Sequence, residues 1–530
     1  MKKWYIILGT VAVAVLFCAC NVKSREDDNM LKLNNISPTA AISEVPVVEQ
    51  MKKIFENVKP ADTLKNPAYH NPLMTQRLGA DPYALVYDGR VYIYMTADVI
   101  ETAADGSPKA NSYQKINKLN VISSDDLVNW TDHGSVLAAG YEGAAKWGGN
   151  SWAPAAACKE IDGKMQFFLY FANSGNGIGV LRADSPIGPF TDPIGKALIS
   201  RETPNCASVA WLFDPAVLVD KDGKAYIYVG GGVPGDRFEN PGTARVAQLG
   251  DDMISIVGEP IAIEPPFLFE DSGINRIGDT YYYSYCSNFN VDGHPNASKY
   301  ALRNGQICYM TSDNPMGPFT YQGAILKNPG DYFGPGGNNH HCIFEFEGKY
   351  YITYHSQILD APLKTGGGYR CTHIDELKVH EDGSIPMATG TKNGVAQLKN
   401  FDPYREVPAA TMSTMGGIGT VAKDENAKKY GSGLMAVNDI DEGDWIMVSG
   451  VDFGDEGASA FAADFTCNGD ANGAVCVRID NLKNGTDVAY LSVKNGTAKT
   501  EFLEKISGVH NVYFIFAGKG YEWNSWRFEQ

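Results

Sequence analysis

Across residues 67–400 one pattern of apolar and polar positions recurs five times. A short apolar run meets a tight turn containing glycine, and an alternating strand rich in aromatic residues follows. The turns are Asp88-Gly89, Asp162-Gly163, Asp222-Gly223, Gly278-Asp279 and Glu347-Gly348. A polar residue beside glycine between two β-rich runs is a hairpin signal. Asp81 lies 8 residues before Gly89, Asp214 lies 9 before Gly223, Glu270 lies 8 before Gly278 and His340 lies 8 before Gly348. In the second copy the same place falls within Trp152-Ala153-Pro154-Ala155. Five β-units that carry a polar residue at one register project those residues to one point. The spacing therefore predicts a five-bladed β-propeller whose innermost strands line a channel.

A second echo, Arg182-Ala183-Asp184-Ser185-Pro186-Ile187-Gly188-Pro189-Phe190 and Thr311-Ser312-Asp313-Asn314-Pro315-Met316-Gly317-Pro318-Phe319, reads as the outer strand and corner of a blade. No long amphipathic helix interrupts the repeats, and the fold class is all-β. After Phe401-Asp402-Pro403 the spacing changes to short strands near residues 445–448, 458–465, 475–479, 488–493 and 512–516, which predicts a β-sandwich of jelly-roll type over 401–530. Residues 21–66 are polar and read as an irregular linker. Residues 1–20 read as a lipoprotein signal peptide: Lys2 and Lys3 precede an apolar run ending in Leu16-Phe17-Cys18-Ala19-Cys20, with Cys20 the lipidated residue. Membrane attachment through Cys20 places the protein on the outer membrane or cell surface, facing periplasm or medium.

Composition narrows the chemistry. With 28 Tyr and 23 Phe the chain favours β-structure, and a net charge of −17 argues against nucleic acid and fits a neutral substrate. The cysteines beyond the leader are scattered without a CxxC pair, so zinc is not expected. Cys467 and Cys476 flank a Gly-Asp-Ala-Asn-Gly turn and are candidates for a bridge in an oxidising compartment. A monomer is expected.

Carboxylates converging on a cleft lined by aromatics suit glycoside hydrolysis, in which one carboxylic acid protonates the leaving oxygen while a carboxylate activates water or attacks carbon. Trp152, Phe213 and Tyr285 lie near the axial positions in sequence and offer sugar-stacking faces. On Asn71-Pro72-Leu73, Gly79-Ala80-Asp81-Pro82-Tyr83, Trp152-Ala153-Pro154, Phe213-Asp214-Pro215, Phe269-Glu270 and Asn339-His340-His341, the chain resembles glycoside hydrolase family 43, above all its arabinoxylan-debranching α-L-arabinofuranosidases. The resemblance implies an inverting mechanism with Asp81 as general base, Glu270 as general acid, and Asp214 as the carboxylate that orients the acid and raises its pKa. It implies that Arg370 contacts substrate and that His340 lies near a channel where a structural calcium ion is held. No cofactor is required for the chemistry. Glu270 is followed by Asp271 where the family usually has a small residue; strand alternation should turn Asp271 away from the cleft, and otherwise it is a rival acid. His341 reads as a packed neighbour.

The C-terminal segment resembles a family 6 carbohydrate-binding module in Gly443-Asp444-Trp445 and Trp526-Arg527-Phe528, which makes Trp523, Asn524 and Tyr430 its candidate sugar contacts. The Glu-x-Glu calcium pair usual at the start of that module is replaced by Val407-Pro408-Ala409-Ala410. The function expected is removal of arabinofuranosyl side chains from arabinoxylan. β-Xylosidase or arabinanase activity with the same acid set, and a non-catalytic glycan-binding lipoprotein, are the alternatives. The rim loops at 101–118 and 233–240 bear on which sugar fits.

Overall fold

The computed structural model describes residues 47–530, apart from Asp236 and Asp292 and the side chains of Val47, Asn426, Tyr430 and Asp470. The leader and Cys20 lie outside the described residues. Five antiparallel sheets follow in chain order. Blade I comprises Ala80–Tyr87, Arg90–Thr96, Lys118–Ser124 and Trp130–Leu137; blade II Trp152–Ile161, Lys164–Ala172 and Ile178–Ala183. Blade III comprises Ala216–Val219, Ala225–Val229, Ala244–Leu249 and Ile256–Ile263; blade IV Leu268–Ile277, Thr280–Ser287, Ile307–Ser312 and Thr320–Leu326; blade V His341–Phe346, Lys349–Ser356 and Cys371–Leu377. The chain has the five-bladed propeller expected of its pattern.

Turn chemistry explains the hairpins. Asp88 and Gly89 take φ 49° and 68°, Asp162 and Gly163 52° and 75°, and Glu347 and Gly348 50° and 72°. Two successive positive φ values mark the type I′ turn, whose twist matches that of the strands it joins. The echoes run from strand into corner as expected in blade II, where Arg182-Ala183 end the outer strand, whereas in blade IV Thr311-Ser312 end the third of four strands. The corners follow the third strands of blades II and IV and turn through Gly188 and Gly317 at φ 88° and 85°.

The ring is closed by Asn71 and its neighbours. Leu73 N donates to Thr372 O (2.9 Å), and the Asn71 side chain both accepts from Ile374 N (2.9 Å) and donates to Ile374 O (2.9 Å). The segment that precedes blade I is thereby fastened along the outer strand of blade V.

Residues 407–530 form a β-sandwich around Phe461, Val475, Val477, Phe514, Phe516 and Phe528, all buried. Two long strands, Ala458–Ile479 and Val509–Glu529, pair with each other along most of their length. The expected separate strands at 458–465 and 475–479 are one continuous strand, with register shifts between Asp464 and Phe465 and between Cys467 and Asn472. This also removes the expected bridge: Cys467 and Cys476 lie opposite Tyr521 and Ile515, six residues apart on the partner strand and so separated by roughly 20 Å, and both thiols are free.

A second correction concerns the linker. Val47–Asn57 is an α-helix, α1, with Met51 and Phe55 buried against the sandwich and the Phe55 ring stacked on Tyr490. Ala61 then accepts from Trp445 Nε1 (2.9 Å) and donates to Gly443 O (2.8 Å). The polar character of this stretch reflects one wet helix face, which a reading by composition cannot separate from an unstructured tether.

Candidate active site

Blades I to IV share a kink where the innermost strand reaches the axis. Asp81, Ala153, Asp214 and Asp271 all have positive φ (49°, 34°, 49° and 68°). Two residues later the ladder resumes, with Tyr83 opposite Tyr94, Ala155 opposite Tyr170, Ala216 opposite Tyr228 and Gly273 opposite Ser284. The kink breaks alternation, so a side chain there leaves the blade face and enters the channel. In this register the blade IV counterpart of Asp81 and Asp214 is Asp271, not Glu270. Glu270 stands one residue earlier and lines the cleft with Asp81 and Asp214, whereas Asp271 is wholly buried behind them.

The cleft has a volume of about 540 Å³. Asp81, Asp214, Glu270, Trp152, Phe213, His340 and Arg370 all line it, so the propeller residues singled out in the sequence come together. Tyr285 does not: it is fully buried, with its hydroxyl donating to Pro266 O (2.7 Å).

Asp81 accepts from Arg370 NH1 (2.8 Å), and its backbone N donates to His355 Nδ1 (3.1 Å). Arg370 is in turn gripped by Asp98, which accepts from its backbone N (2.9 Å), Nε (3.0 Å) and NH2 (2.7 Å). Burial pushes the Asp81 carboxyl up, but Arg370, His355 and His340 outweigh it and hold Asp81 well below the usual carboxylate range. Glu270 experiences the opposite balance. Burial and then the negative charges of Asp214, Asp81 and Asp271 push its carboxyl well up, against one distant donor, Asn339 N at 3.4 Å. Burial and Asp81 also raise Asp214. Of the charges that raise Glu270, that of Asp214 has the largest effect. Asp271 N donates to Asp214 at 2.9 Å, a firmer donor than Glu270 has, which favours the charged form at Asp214 over Glu270.

Asp271 accepts from His341 N (3.2 Å) and makes a short contact with His341 Nδ1, while His341 Nε2 meets Ser284 Oγ (2.8 Å). That network turns Asp271 into the channel and removes it as a rival acid. Its other oxygen, Oδ1, has no hydrogen-bond partner and lies 3.1 Å from His340 Nε2. A cation in this channel would find one imidazole and one carboxylate oxygen; the described residues include no cluster of three His, Cys, Asp or Glu arranged around a metal.

Asp98, His355, Tyr113, Trp211 and Asn338 were not singled out in the sequence. Asp98 and His355 mark the place where the second strand of a blade returns to the axis, but neither carries a motif.

Comparison with known proteins decides what the constellation belongs to. Residues 69–385 match the profile of glycosyl hydrolases family 43, and residues 408–530 that of carbohydrate binding module family 6. The chain belongs to glycosyl hydrolase family 43. Over 86% of its length it is 48% identical to an arabinoxylan arabinofuranohydrolase of Paenibacillus polymyxa, covering 73% of that protein. Over 87% it is 48% identical to one of Bacillus subtilis, covering 92% of it. The crystal structure of a family 43 arabinoxylan arabinofuranohydrolase from Bacillus subtilis in complex with cellotetraose superposes with a TM-score of 0.83 at 46% identity, over 88% of this chain and 99% of that one.

The family 6 segment corrects one sequence expectation. Trp523 is fully buried, packed edge-on against Phe514 and Phe516, and has no face to offer a sugar. Asn524 is half-buried and donates to Asp464 Oδ2 (2.8 Å) and Thr466 Oγ1 (3.0 Å). The Tyr430 side chain lies outside the described residues. Strand position explains the Trp523 error: its neighbours in the long terminal strand alternate, and Trp523 falls on the core side with Tyr521.

Proposed function

We propose that this family 43 enzyme is an inverting α-L-arabinofuranosidase that removes arabinofuranosyl branches from arabinoxylan. The observation that carries the reading is the pairing, across one cleft, of a carboxylate kept ionised by Arg370 with a carboxyl kept protonated by burial and negative neighbours. The substrate is supported by the two arabinoxylan arabinofuranohydrolases that are 48% identical to it over 86% and 87% of its length.

Asp81 takes a proton from a water molecule as that water's oxygen bonds to the anomeric carbon. On the opposite face the bond to the xylan oxygen breaks, and the Glu270 proton passes to that oxygen. Asp214 keeps Glu270 protonated until then, and Arg370, fixed by Asp98, keeps Asp81 basic. Trp152 and Phe213 offer apolar faces to the sugar, and Arg370 and His340 reach the same cavity. Displacement by water in one step inverts the anomeric centre.

The test is chromatography of the sugars released from arabinoxylan, linear xylo-oligosaccharides and debranched arabinan, with E270Q as the blank. Arabinose from arabinoxylan supports the proposal, and its first-formed anomer, read by NMR, should be inverted. Xylose from linear oligomers would make the enzyme a β-xylosidase. No release from any of the three would revive a glycan-binding role.

Two further readings rest on sequence. Export and lipid attachment through Cys20 predict incorporation of labelled fatty acid that C20A abolishes. A calcium ion in the channel, taking His340 and Asp271 Oδ1 with water, would be structural. It predicts a modest fall in melting temperature on chelation, and no shift would refute it.

A further inference from the structure

Tyr113 is held in a backbone conformation its residue type avoids. Its φ is 61°, in the left-handed region, and it lies in the loop that joins the second and third strands of blade I. Such a conformation in a bulky residue persists only where the surroundings over-determine it, and such places cluster at functional sites. Here the surroundings do so. Tyr113 N donates to Asn111 Oδ1 (2.9 Å), and Tyr113 O accepts from Trp152 Nε1 (3.0 Å). The preceding residue, Ser112, donates both its backbone N (2.9 Å) and its hydroxyl (2.5 Å) to Glu101 Oε1.

Glu101 is the pin of the whole loop. Its side chain is 1% exposed, and Oε2 pairs with Lys109 Nζ at 2.7 Å. Its backbone N donates to the Tyr369 hydroxyl (2.8 Å), which donates to Lys109 O (2.8 Å), so one tyrosine of blade V ties together both strands of the blade I hairpin Glu101–Thr102 and Pro108–Lys109. Asn111 adds bonds to Gly367 O (3.0 Å) and Gly368 O (3.2 Å). The residue after this buttoned turn is Arg370, and the Tyr113 ring lies 5.0 Å from its guanidinium carbon and edge-on to Trp152.

Tyr113, Trp152, Arg370 and Asp81 thus form one contiguous wall of the cleft, whose lining also includes Glu270 and its neighbour Phe269, the latter in ring contact with Trp211. In an inverting displacement the acid stands at the leaving oxygen and the base beyond the sugar. We infer that Tyr113 is a specificity-determining residue that closes the sugar end of the cleft, and that Glu101 is the positioning residue that holds it there. The inference rests on the glycosidase reading of the cleft. The closed end admits a single five-carbon furanosyl branch and excludes a furanosyl ring with a longer exocyclic arm.

The test compares kcat/KM on 4-nitrophenyl α-L-arabinofuranoside with that on 4-nitrophenyl β-D-galactofuranoside, which has the same ring with one more exocyclic carbon. The native enzyme should prefer the arabinofuranoside. Y113N removes the ring while tolerating positive φ, and the preference should fall by about tenfold or more, the scale on which a pocket senses one carbon. E101A should move the preference in the same direction. E101Q keeps an oxygen for Ser112 and should hold the preference within about twofold of native. An unchanged preference in Y113N and E101A, with native-like circular dichroism, overturns the inference, as does an equal loss on both substrates. No hydrolysis of the arabinofuranoside by the native enzyme would instead overturn the underlying reading of the site.

Discussion

Glu270 and Asp81 are both buried carboxyls lining one cleft, yet their surroundings drive them in opposite directions. The difference is Arg370, which reaches Asp81 and leaves Glu270 to the negative charges around it. The sign of the pH response follows. Catalysis needs Glu270 protonated, so kcat/KM falls on the alkaline side as that proton is lost. Removing the charge of Asp214 removes one cause of the raised pKa, so D214N should move the alkaline limb to lower pH. A limb that stayed in place in a pH–rate profile would exclude Asp214 from tuning the acid. D81N should lower turnover by about 10²–10⁴-fold, the range of a lost general base, with little change in melting temperature; near-native turnover would refute the role. The legibility of these residues in the sequence differed for a physical reason. Asp81 and Asp214 sit at a kink whose distance from the hairpin glycine is nearly constant. Glu270 satisfied the same count only because glycine is the first residue of the blade IV turn, Gly278-Asp279, and the second in Asp88-Gly89; counted from the second turn residue, the true counterpart is Asp271. Asp98 was invisible because its value lies wholly in a grip on Arg370, 272 residues away.

At the scale of elements, the hairpins were legible because a type I′ turn demands residues that accept positive φ, and Asp-Gly or Glu-Gly marks it on the chain. The closure of the ring was not. Asn71-Pro72-Leu73 stood out as a motif, but nothing local says that Asn71 pairs with both backbone groups of Ile374. N71A would leave that N–H and carbonyl buried without their side-chain partner, at a cost of about 1–3 kcal/mol each. The expected result in thermal denaturation is a melting temperature lower by several degrees, with residual activity at low temperature. An unchanged melting temperature would show that the ring is closed elsewhere. Helix α1 escaped notice because one buried face of Met51 and Phe55 is a weak signal beside four charged residues in eleven.

For the molecule as a whole, the change of pattern near residue 401 marks a change of fold but not a separable part. Thr411–Met412 pairs with Trp130–Leu137 as a fifth strand of blade I. Asn129 exchanges hydrogen bonds with Ser449 (2.9 and 2.8 Å), and Asp132 of the propeller pairs with Arg77 and accepts from Thr420 of the sandwich (2.8 Å). Propeller and sandwich belong to one compact unit spanning Pro46–Gln530. Scanning calorimetry should therefore give a single cooperative transition, and two resolved transitions would refute the coupling.

The route of the chain into this unit has a mechanical meaning. Helix α1 seats on the sandwich, and Ala61 is tied to Gly443 and Trp445 before any blade begins. Lys65 then spans the join, its ammonium donating to Pro72 O (2.8 Å) and Ser413 O (2.6 Å). Tension applied upstream of Val47 would thus be borne first by the apolar seat of α1 and shed into the sandwich. The strand that carries Asp81 would feel little of it, and the spacing of base and acid would hold while the enzyme is pulled along a polymer.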